Sequence, residues 1–325
     1  MKTSYCTKYG GPEVYQIVDI ETPKPKENEV LVQVYRAVVS PTDGNFRSGK
    51  PMIARLFSGL LKPRMKIHGE MFVGKVVEVG IGVSSFKVDD MIYGTNGMKL
   101  GAYAEYVAVN VNGAIKQVPK DLDYKDVLPL LDGGITALPF LKEAGNIKEG
   151  DSVLINGASG AVGSMAVMIA KHFKAKVTAV CSTGNVETVR ALGADFVIDY
   201  RNEDFTKNIG EYDIIFDAVG KSSYGSAKKA LNDTGIFITT VPTPGVMIQK
   251  LTRKNSKNKR ANFMAAGLRK ANVKIKDLEY LEGLLRSKEL KPLHGKLYSL
   301  TDLGVAQVYV ESGHKVGNVV IEIFE

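Results

Sequence analysis

DSVLINGASGAVG, from Asp151 to Gly163, decides the fold. Val153, Leu154 and Ile155 form a short apolar run with β-branched ends, which predicts a buried strand. Lys148 to Asp151 before it is polar and turn-like. SMAVMIAKHF after it keeps Met165, Val167, Met168 and Ile169 at spacings that leave one helical face apolar. Strand, glycine-rich turn and helix in that order make a seat for a phosphate, because a helix start offers unpaired N–H groups and the positive end of its dipole. Gly160 lets the backbone approach a pyrophosphate, and Gly163 lets the helix pack closely on the strand. Set against G-x-G-x-x-G, the pattern runs Ala158-Ser159-Gly160-Ala161-Val162-Gly163, with alanine in the first glycine's place. Such turns also join strands to helices without a ligand. Here a second apolar strand, KVTAVCS from Lys176, follows at the separation at which a dinucleotide fold presents its ribose-reading residue.

Outward from this stretch toward the C-terminus, strand and helix alternate: the helix to Phe173, KVTAVCS, the helix VETVRALGA, FVIDY, a polar helix, DIIFDAVG, the helix SSYGSAKKALN, then GIFITTVP. That alternation predicts an α/β fold with a doubly wound parallel sheet and ligands at the carboxyl ends of its strands. ANFMAAG reads as a last strand, KDLEYLEGLLRS as an amphipathic helix and GNVVIEIF as a final strand whose alternation returns to the texture of the first domain. Toward the N-terminus, the chain from Tyr5 to Val39 turns and alternates like an antiparallel β domain, with Val30, Val32 and Val34 on one face. Ser40-Pro41-Thr42-Asp43 reads as a turn, and the glycine- and valine-rich section from Ile67 to Asn110 as short strands of a small, partly closed barrel. The period turns helical near residue 121, with a break expected at Gly133-Gly134. The domains expected are therefore 1–121, 122–268 and a C-terminal return, 269–325.

A chain of 325 residues, 44% hydrophobic and 24% charged, can bury a substantial core. No apolar run reaches the roughly 18 residues that span a bilayer, and MKTSYCTKYGGPE lacks a signal or transit character, so a cytoplasmic protein is expected. Cys6 and Cys181 are the two cysteines, too few for a disulfide framework or a C-x-x-C metal site. The net charge of +8 is concentrated between Asp233 and Asp277, where no acidic residue falls but Lys250, Arg253, Lys254, Lys257, Lys259, Arg260, Arg269, Lys270, Lys274 and Lys276 do. With only Phe263 interleaved, this stretch reads as a solvated basic loop or a phosphate-steering rim before a nucleic-acid surface.

Several motifs in order carry a family resemblance over essentially the whole chain: YGGPE at Tyr9, VSPTD at Val39, VGKVVEVGIGVSSFKVDDMIYG from Val73, GAYAEYVAV from Gly101, GGITALPFL from Gly133, the glycine loop, VTAVCSTGNVETVRALGADFVIDY from Val177 and VGNVVI near the end. Together they resemble the zinc-independent, quinone oxidoreductase-like branch of the medium-chain dehydrogenase/reductase superfamily. The resemblance implies a GroES-like β-rich domain, a Rossmann domain and a C-terminus returning to the first domain. Zinc-dependent relatives carry Cys where this chain has Ser40, Gly-His-Glu where it has Gly69-Glu70-Met71, and a four-cysteine lobe that is absent here. Ser40 does not replace a thiolate ligand, so no metal is expected.

Without a Lewis acid to polarise an alcohol, hydride transfer from a reduced nicotinamide to a quinone or an α,β-unsaturated carbonyl is the expected chemistry. An enoyl-thioester reductase, or a non-catalytic NADPH-binding protein that reads nucleic acid, are the alternatives. The resemblance places Thr136 near the nicotinamide carboxamide, Ala218 and Val219 after one strand and Val241 and Pro242 after the next beside the cofactor, and adds Lys315 near the C-terminus to the set. Ser159, Gly160, Ala161, Val162 and Gly163 hold the pyrophosphate. The candidate catalytic residues are Ser40 and Asp43 in the former metal corner, and Tyr93 and Tyr103 as proton donors; each tyrosine also fits a barrel-packing role.

An NAD-selective fold carries Asp or Glu about 20 residues past the glycine loop. Here that region is Cys181-Ser182-Thr183-Gly184-Asn185, with no carboxylate. Ser182 and Thr183 offer hydroxyls, and Tyr200 and Arg201 match positions that resemble phosphate contacts in NADPH-using relatives. NADPH is therefore the expected cofactor and a small electrophile the expected partner. ANFMAAG resembles an edge that pairs between subunits, which implies a homodimer.

Overall fold

The alternating valines at 30, 32 and 34 build the hub of one unit. The computed structural model describes residues 1–50, 52, 55–252 and 258–324. Arg253, Lys254 and Lys257 of the basic stretch lie outside the described residues. The chain divides into two units, Met1–Asp132 with Lys270–Lys276 and His294–Glu325, and Gly133–Arg269 with Asp277–Leu293.

In the first unit, β1 (Lys2–Tyr5) and β2 (Gln16–Asp19) pair with each other. β3 (Glu29–Val39) pairs antiparallel with three partners: β4 (Met71–Val79), β6 (Tyr106–Asn110) and β15 (Asn318–Glu322). β5 (Met91–Thr95), β7 (Ala114–Gln117) and β14 (His294–Ser299) complete a sheet of order β14-β15-β3-β4-β5-β7, with β6 also on β3. Val30, Val32 and Val34 are fully buried, together with Val319 and Ile321 of the last strand and Leu303, Ala306 and Val310 of helix α10 (Leu303–Glu311). β15 and α10 thus cover an edge and the apolar face of β3, while Asp277–Leu293, within the 269–325 expected to return, group with the second unit. α1 (Pro41–Ser48), α2 (Arg55–Ser58) and α3 (Tyr124–Pro129) also belong to this unit.

The stretch Ser40 to Asp43 is the start of α1 and not a free-standing turn. Ser40 is its N-cap, its hydroxyl accepts from the Asp43 N–H, the Asp43 carboxylate accepts from the Ser40 N–H, and Pro41 fills the first helical position. S-P-T-D is thus a capping box with proline at N1, a signal present in the sequence.

In the second unit, β8 (Ser152–Asn156), β9 (Lys176–Cys181), β10 (Phe196–Asp199), β11 (Tyr212–Asp217), β12 (Leu231–Thr239) and β13 (Arg260–Phe263) form one parallel sheet of order β10-β9-β8-β11-β12-β13. Numbered from β8, that is 3-2-1-4-5-6, the doubly wound Rossmann order, in which the chain reverses direction across the sheet beside the first strand. The apolar interiors of these strands, including Val153, Leu154, Ile155, Ile215 and Phe237, are fully buried between covering segments. Helices here are α4 (Ile135–Pro139), α5 (Ala161–His172), α6 (Val186–Ala191), α7 (Tyr224–Ala227), α8 (Pro244–Thr252) and α9 (Ala271–Arg286), the last shared between the two residue sets.

Three local expectations are corrected. The polar helix after β10 is a single tight turn, Phe205–Lys207: Asp204 accepts from the Thr206 N–H and hydroxyl, and Gly210 follows at φ 72°, so short polar side chains compete with helix propagation. The helix expected over SSYGSAKKALN covers only Tyr224–Ala227. Gly133-Gly134 does not break the helical path, which continues through a π-helical turn, Leu130–Gly134. Gly133 is required there because a Cβ on it would lie 2.3 Å from the Ala161 carbonyl oxygen.

Candidate functional site

In the second unit the seat begins where β8 ends. Gly157 turns the chain at φ 82°, a left-handed value suited to glycine, and a Cβ there would meet Val219 at 2.4 Å. This glycine, one residue before the alanine aligned with the fingerprint, makes the tight turn, while Ala158 is fully buried and its N–H bonds the Val180 carbonyl at 3.0 Å. A Cβ on Gly163 would stand 2.1 Å from the Gly157 carbonyl oxygen and 2.8 Å from the Ala158 Cα, so α5 lies against the turn through backbone. Gly160, the N-cap of α5, differs: the nearest heavy atom to a Cβ there is the Gly157 oxygen at 3.5 Å. The space in front of Gly160 is open, and no side chain caps the first N–H groups of α5, including those of Ala161 and Val162. An anion fits that cradle.

The loops after β11 and β12 border the same end of the sheet. Asp217, fully buried, accepts from Asn156 Nδ2 at 3.0 Å, the Gly220 N–H at 3.1 Å and the Ser222 N–H at 2.8 Å. Burial pushes its carboxyl above the usual range, against those hydrogen bonds. Asp217 thus ties β8 to the loop that carries Ala218 and Val219, a role the sequence reading missed although an acid ending DIIFD, an apolar strand, is its signal. Val219 leans over Gly157, and Val241 over Gly220, whose Cβ would meet it at 2.3 Å. Val241 and Pro242 are exposed, and Thr136 is half-buried on α4.

On the other side of β8 lie the residues expected to read the ribose. Asn185 Nδ2 bridges Ser159 Oγ at 3.1 Å and Ser182 Oγ at 3.2 Å, which joins the glycine loop to the end of β9. Thr183 donates its hydroxyl to Asp199 Oδ2 at 2.6 Å. Asp199 ends β10, directly across from Cys181, and was absent from the sequence-based set. Tyr200 is half-exposed, and the exposed Arg201 donates its N–H to Asp199 Oδ1 at 3.0 Å. Arg190 pairs with Glu187 on the surface of α6, as a solvated charge. Cys181 is buried, its thiol pushed up to about 11 by desolvation and the nearby Asp199.

In the first unit Ser40, Asp43 and Tyr103 come together, and Tyr93 is packed within β5. All four are buried. Asp43 Oδ2 accepts from the Ser40 N–H at 3.0 Å and its hydroxyl at 2.7 Å, and Oδ1 accepts from the Gly69 N–H at 3.2 Å. Gly69 has φ 84°, and a Cβ on it would strike the Tyr103 ring at 2.6 Å. Tyr103 donates to the Val38 carbonyl at 3.1 Å, and burial pushes its phenol well above the ordinary range, which makes it a weak acid. Glu70 faces Lys274 at 3.9 Å, its carboxyl pushed up by burial against the pull of that lysine. Lys315 lies 3.5 Å from Asp132, which also accepts from Asn318 Nδ2 at 2.9 Å.

His68 is buried beside Tyr15, whose hydroxyl lies 3.2 Å from His68 Nδ1. Desolvation and the nearby Arg47 lower its pKa from 6.5 to about 4. A base whose folded pKa is depressed contributes stability that is complete above its unfolded pKa and lost as the pH falls. The protein therefore loses about 3 kcal/mol through this group between pH 6.5 and about 4. Urea unfolding across that window checks it: His68→Gln flattens the slope, and an unchanged slope refutes the assignment.

Residues 26–120 match the alcohol dehydrogenase GroES-like domain, and residues 192–321 match the zinc-binding dehydrogenase family. The chain is 32% identical to a mitochondrial NAD(P)H oxidoreductase of Homo sapiens over 334 residues, 91% of this chain and 82% of that protein. It is 32% identical over 262 residues to the chloroplastic NADPH-dependent alkenal/one oxidoreductase of Arabidopsis thaliana, covering 75% of this chain and 64% of that relative, just under two thirds of its length. Among solved structures, the quinone oxidoreductase from Coxiella burnetii superposes with a TM-score of 0.87 at 29% identity, over 100% of this chain and 99% of that one.

The zinc named in one family description does not fit the donors here. Ser40 is committed to Asp43 and Glu70 faces Lys274. Among the described residues no three of His, Cys, Asp and Glu converge on a point that a metal ion fits. A phosphate-bearing dinucleotide does fit, at the open cradle before α5. No helix among the described residues is long and apolar enough to cross a membrane.

Proposed function

Because this chain belongs to the medium-chain dehydrogenase/reductase superfamily, in its quinone oxidoreductase-like branch, we propose that it is an NADPH-dependent oxidoreductase that reduces a quinone or an α,β-unsaturated carbonyl without zinc. The observation that carries the reading is the open N-terminus of α5 beside the first strand of a 3-2-1-4-5-6 sheet, with Gly160 leaving room for a pyrophosphate. When bound, the nicotinamide supplies the hydride. The protein's own part is to hold and exclude. The N–H groups of Ala161 and Val162 and the dipole of α5 bind the pyrophosphate. Asp217 keeps the loop of Ala218 and Val219 in register with β8, and with Val241 and Pro242 this loop supplies an apolar border that keeps water from the ring. Ser159, Ser182 and Asn185 fix the adenosine end. Thr136 completes the cofactor set of the second unit by family likeness, and Ser40 and Asp43 shape the acceptor corner of the first unit. A homodimer formed along β13, an edge of the sheet, belongs to the same reading.

Single-turnover oxidation of NADPH, followed by the absorbance of the reduced nicotinamide, tests the proposal across quinones, enals, enones and enoyl thioesters. The expected result is stoichiometric oxidation with quinones or enones. Preference for enoyl thioesters moves the substrate class, and no oxidation with any acceptor, alongside a salt-dependent nucleic-acid gel shift, overturns the enzyme.

A further inference from the structure

We infer that Asp199 sets the choice between nicotinamide cofactors: from the neighbouring strand it supplies the carboxylate that the loop after β9 lacks, so that NADH is accepted alongside NADPH. This rests on the proposal that the second unit binds a nicotinamide dinucleotide.

Dinucleotide folds that select NAD place an acid at the end of the second strand, where it accepts from the ribose 2′-hydroxyl and repels a 2′-phosphate. At that point along this chain there are only Cys181, Ser182 and Thr183. The sheet nevertheless brings an acid to the same place. Asp199 and Cys181 are register partners at the carboxyl ends of adjacent parallel strands. The Asp199 carboxylate reaches across that gap and accepts a hydrogen bond from the Thr183 hydroxyl at 2.6 Å.

This bond changes what Thr183 offers. A hydroxyl has one proton to give, and it is given to Asp199 and is unavailable to a phosphate. The Asp199 side chain is half-buried and its carboxylate ionised: the Thr183 hydrogen bond, the Arg201 N–H and charge, and Asn202 hold its pKa below the usual range. Oδ2 accepts from Thr183 and from Asn202 Nδ2 at 2.8 Å, and Oδ1 from the Arg201 N–H. A carboxylate has about four lone-pair positions, so these three bonds leave one for a ribose hydroxyl. The adjacent Arg201 guanidinium offsets the negative charge and keeps the 2′-phosphate bound. One loop thus holds a group that favours each cofactor.

Direct titration with NADPH and with NADH, read by the fluorescence of the reduced nicotinamide, tests this in the wild type, Asp199→Asn and Asp199→Glu. Removing one negative charge next to a phosphate in a solvated site corresponds to about tenfold in affinity. Asp199→Asn is therefore expected to tighten NADPH by about tenfold relative to NADH, while Asp199→Glu keeps the wild-type ratio. Asn keeps the shape and the acceptor for the Arg201 N–H but gives up the Oδ2 acceptor that Thr183 and Asn202 use, so a small fall in thermal melting is expected and is measured beside the titration. An unchanged ratio in Asp199→Asn overturns the inference, as does Asp199→Glu behaving like Asp199→Asn. A wild-type protein that binds neither nucleotide overturns the functional reading itself, a result distinct from either of these.

Discussion

Replacing Gly160 by alanine leaves the fold unchanged and weakens NADPH binding by about 30-fold, near 2 kcal/mol. The two halves of that result come from the same geometry. A Cβ at this position has no neighbour closer than 3.5 Å, an ordinary contact, and φ is −77°, so alanine fits the unliganded protein. The new methyl group occupies the space in which a pyrophosphate approaches the first N–H groups of α5, and charge-assisted hydrogen bonds lengthen or are lost. Melting temperature and NADPH fluorescence titration check both halves. Gly163→Ala is the control with the opposite pattern, because its Cβ would meet the Gly157 carbonyl oxygen at 2.1 Å and push backbone against backbone. That variant loses stability by about 2 kcal/mol before any ligand is added. Equal melting losses in the two variants contradict the assignment of Gly160 to the ligand and Gly163 to packing.

The second large effect falls in the first unit. Asp43→Ala lowers the stability of the protein by about 4 kcal/mol. The side chain is 2% exposed and accepts from the Ser40 N–H, the Ser40 hydroxyl and the Gly69 N–H. Alanine removes the reciprocal half of the capping box and leaves two buried backbone N–H groups without an acceptor, each costing about 1–3 kcal/mol. Asp43→Asn retains one carbonyl oxygen and loses about half as much. Urea denaturation monitored by circular dichroism measures both. A loss below about 1 kcal/mol in Asp43→Ala shows that water satisfies these groups and that the cluster is not a scaffold.

The strongest local signals in the chain were the ones that needed no partner. β8, β9, β11 and β15 were legible because runs of β-branched and apolar residues report burial directly, and α5 because its apolar face repeats at the helical period. The capping box at Ser40 to Asp43 was equally local, and was read as a turn because proline and aspartate serve both. The short covering segments after β10 and β11 were less legible. After β10, Asp204 accepts from the Thr206 N–H and hydroxyl and Gly210 takes φ 72°, so the segment closes as one turn.

The candidate site divides along the same line. By itself the sequence determined that a strand, a glycine turn and a helix follow one another, and that the residues ending β9 carry no carboxylate, because chain direction and glycine content are local properties. The tertiary structure alone decided which glycine turns the chain and which acid faces the loop after β9. Gly157 takes the left-handed turn because Val219 and α5 crowd it from other segments. Asp199 stands 16 residues beyond Thr183 along the chain yet is hydrogen-bonded to it, because parallel pairing of β9 with β10 sets their carboxyl ends side by side. Hydrogen bonding and Coulomb interaction depend on distance in space, which the order of residues does not contain.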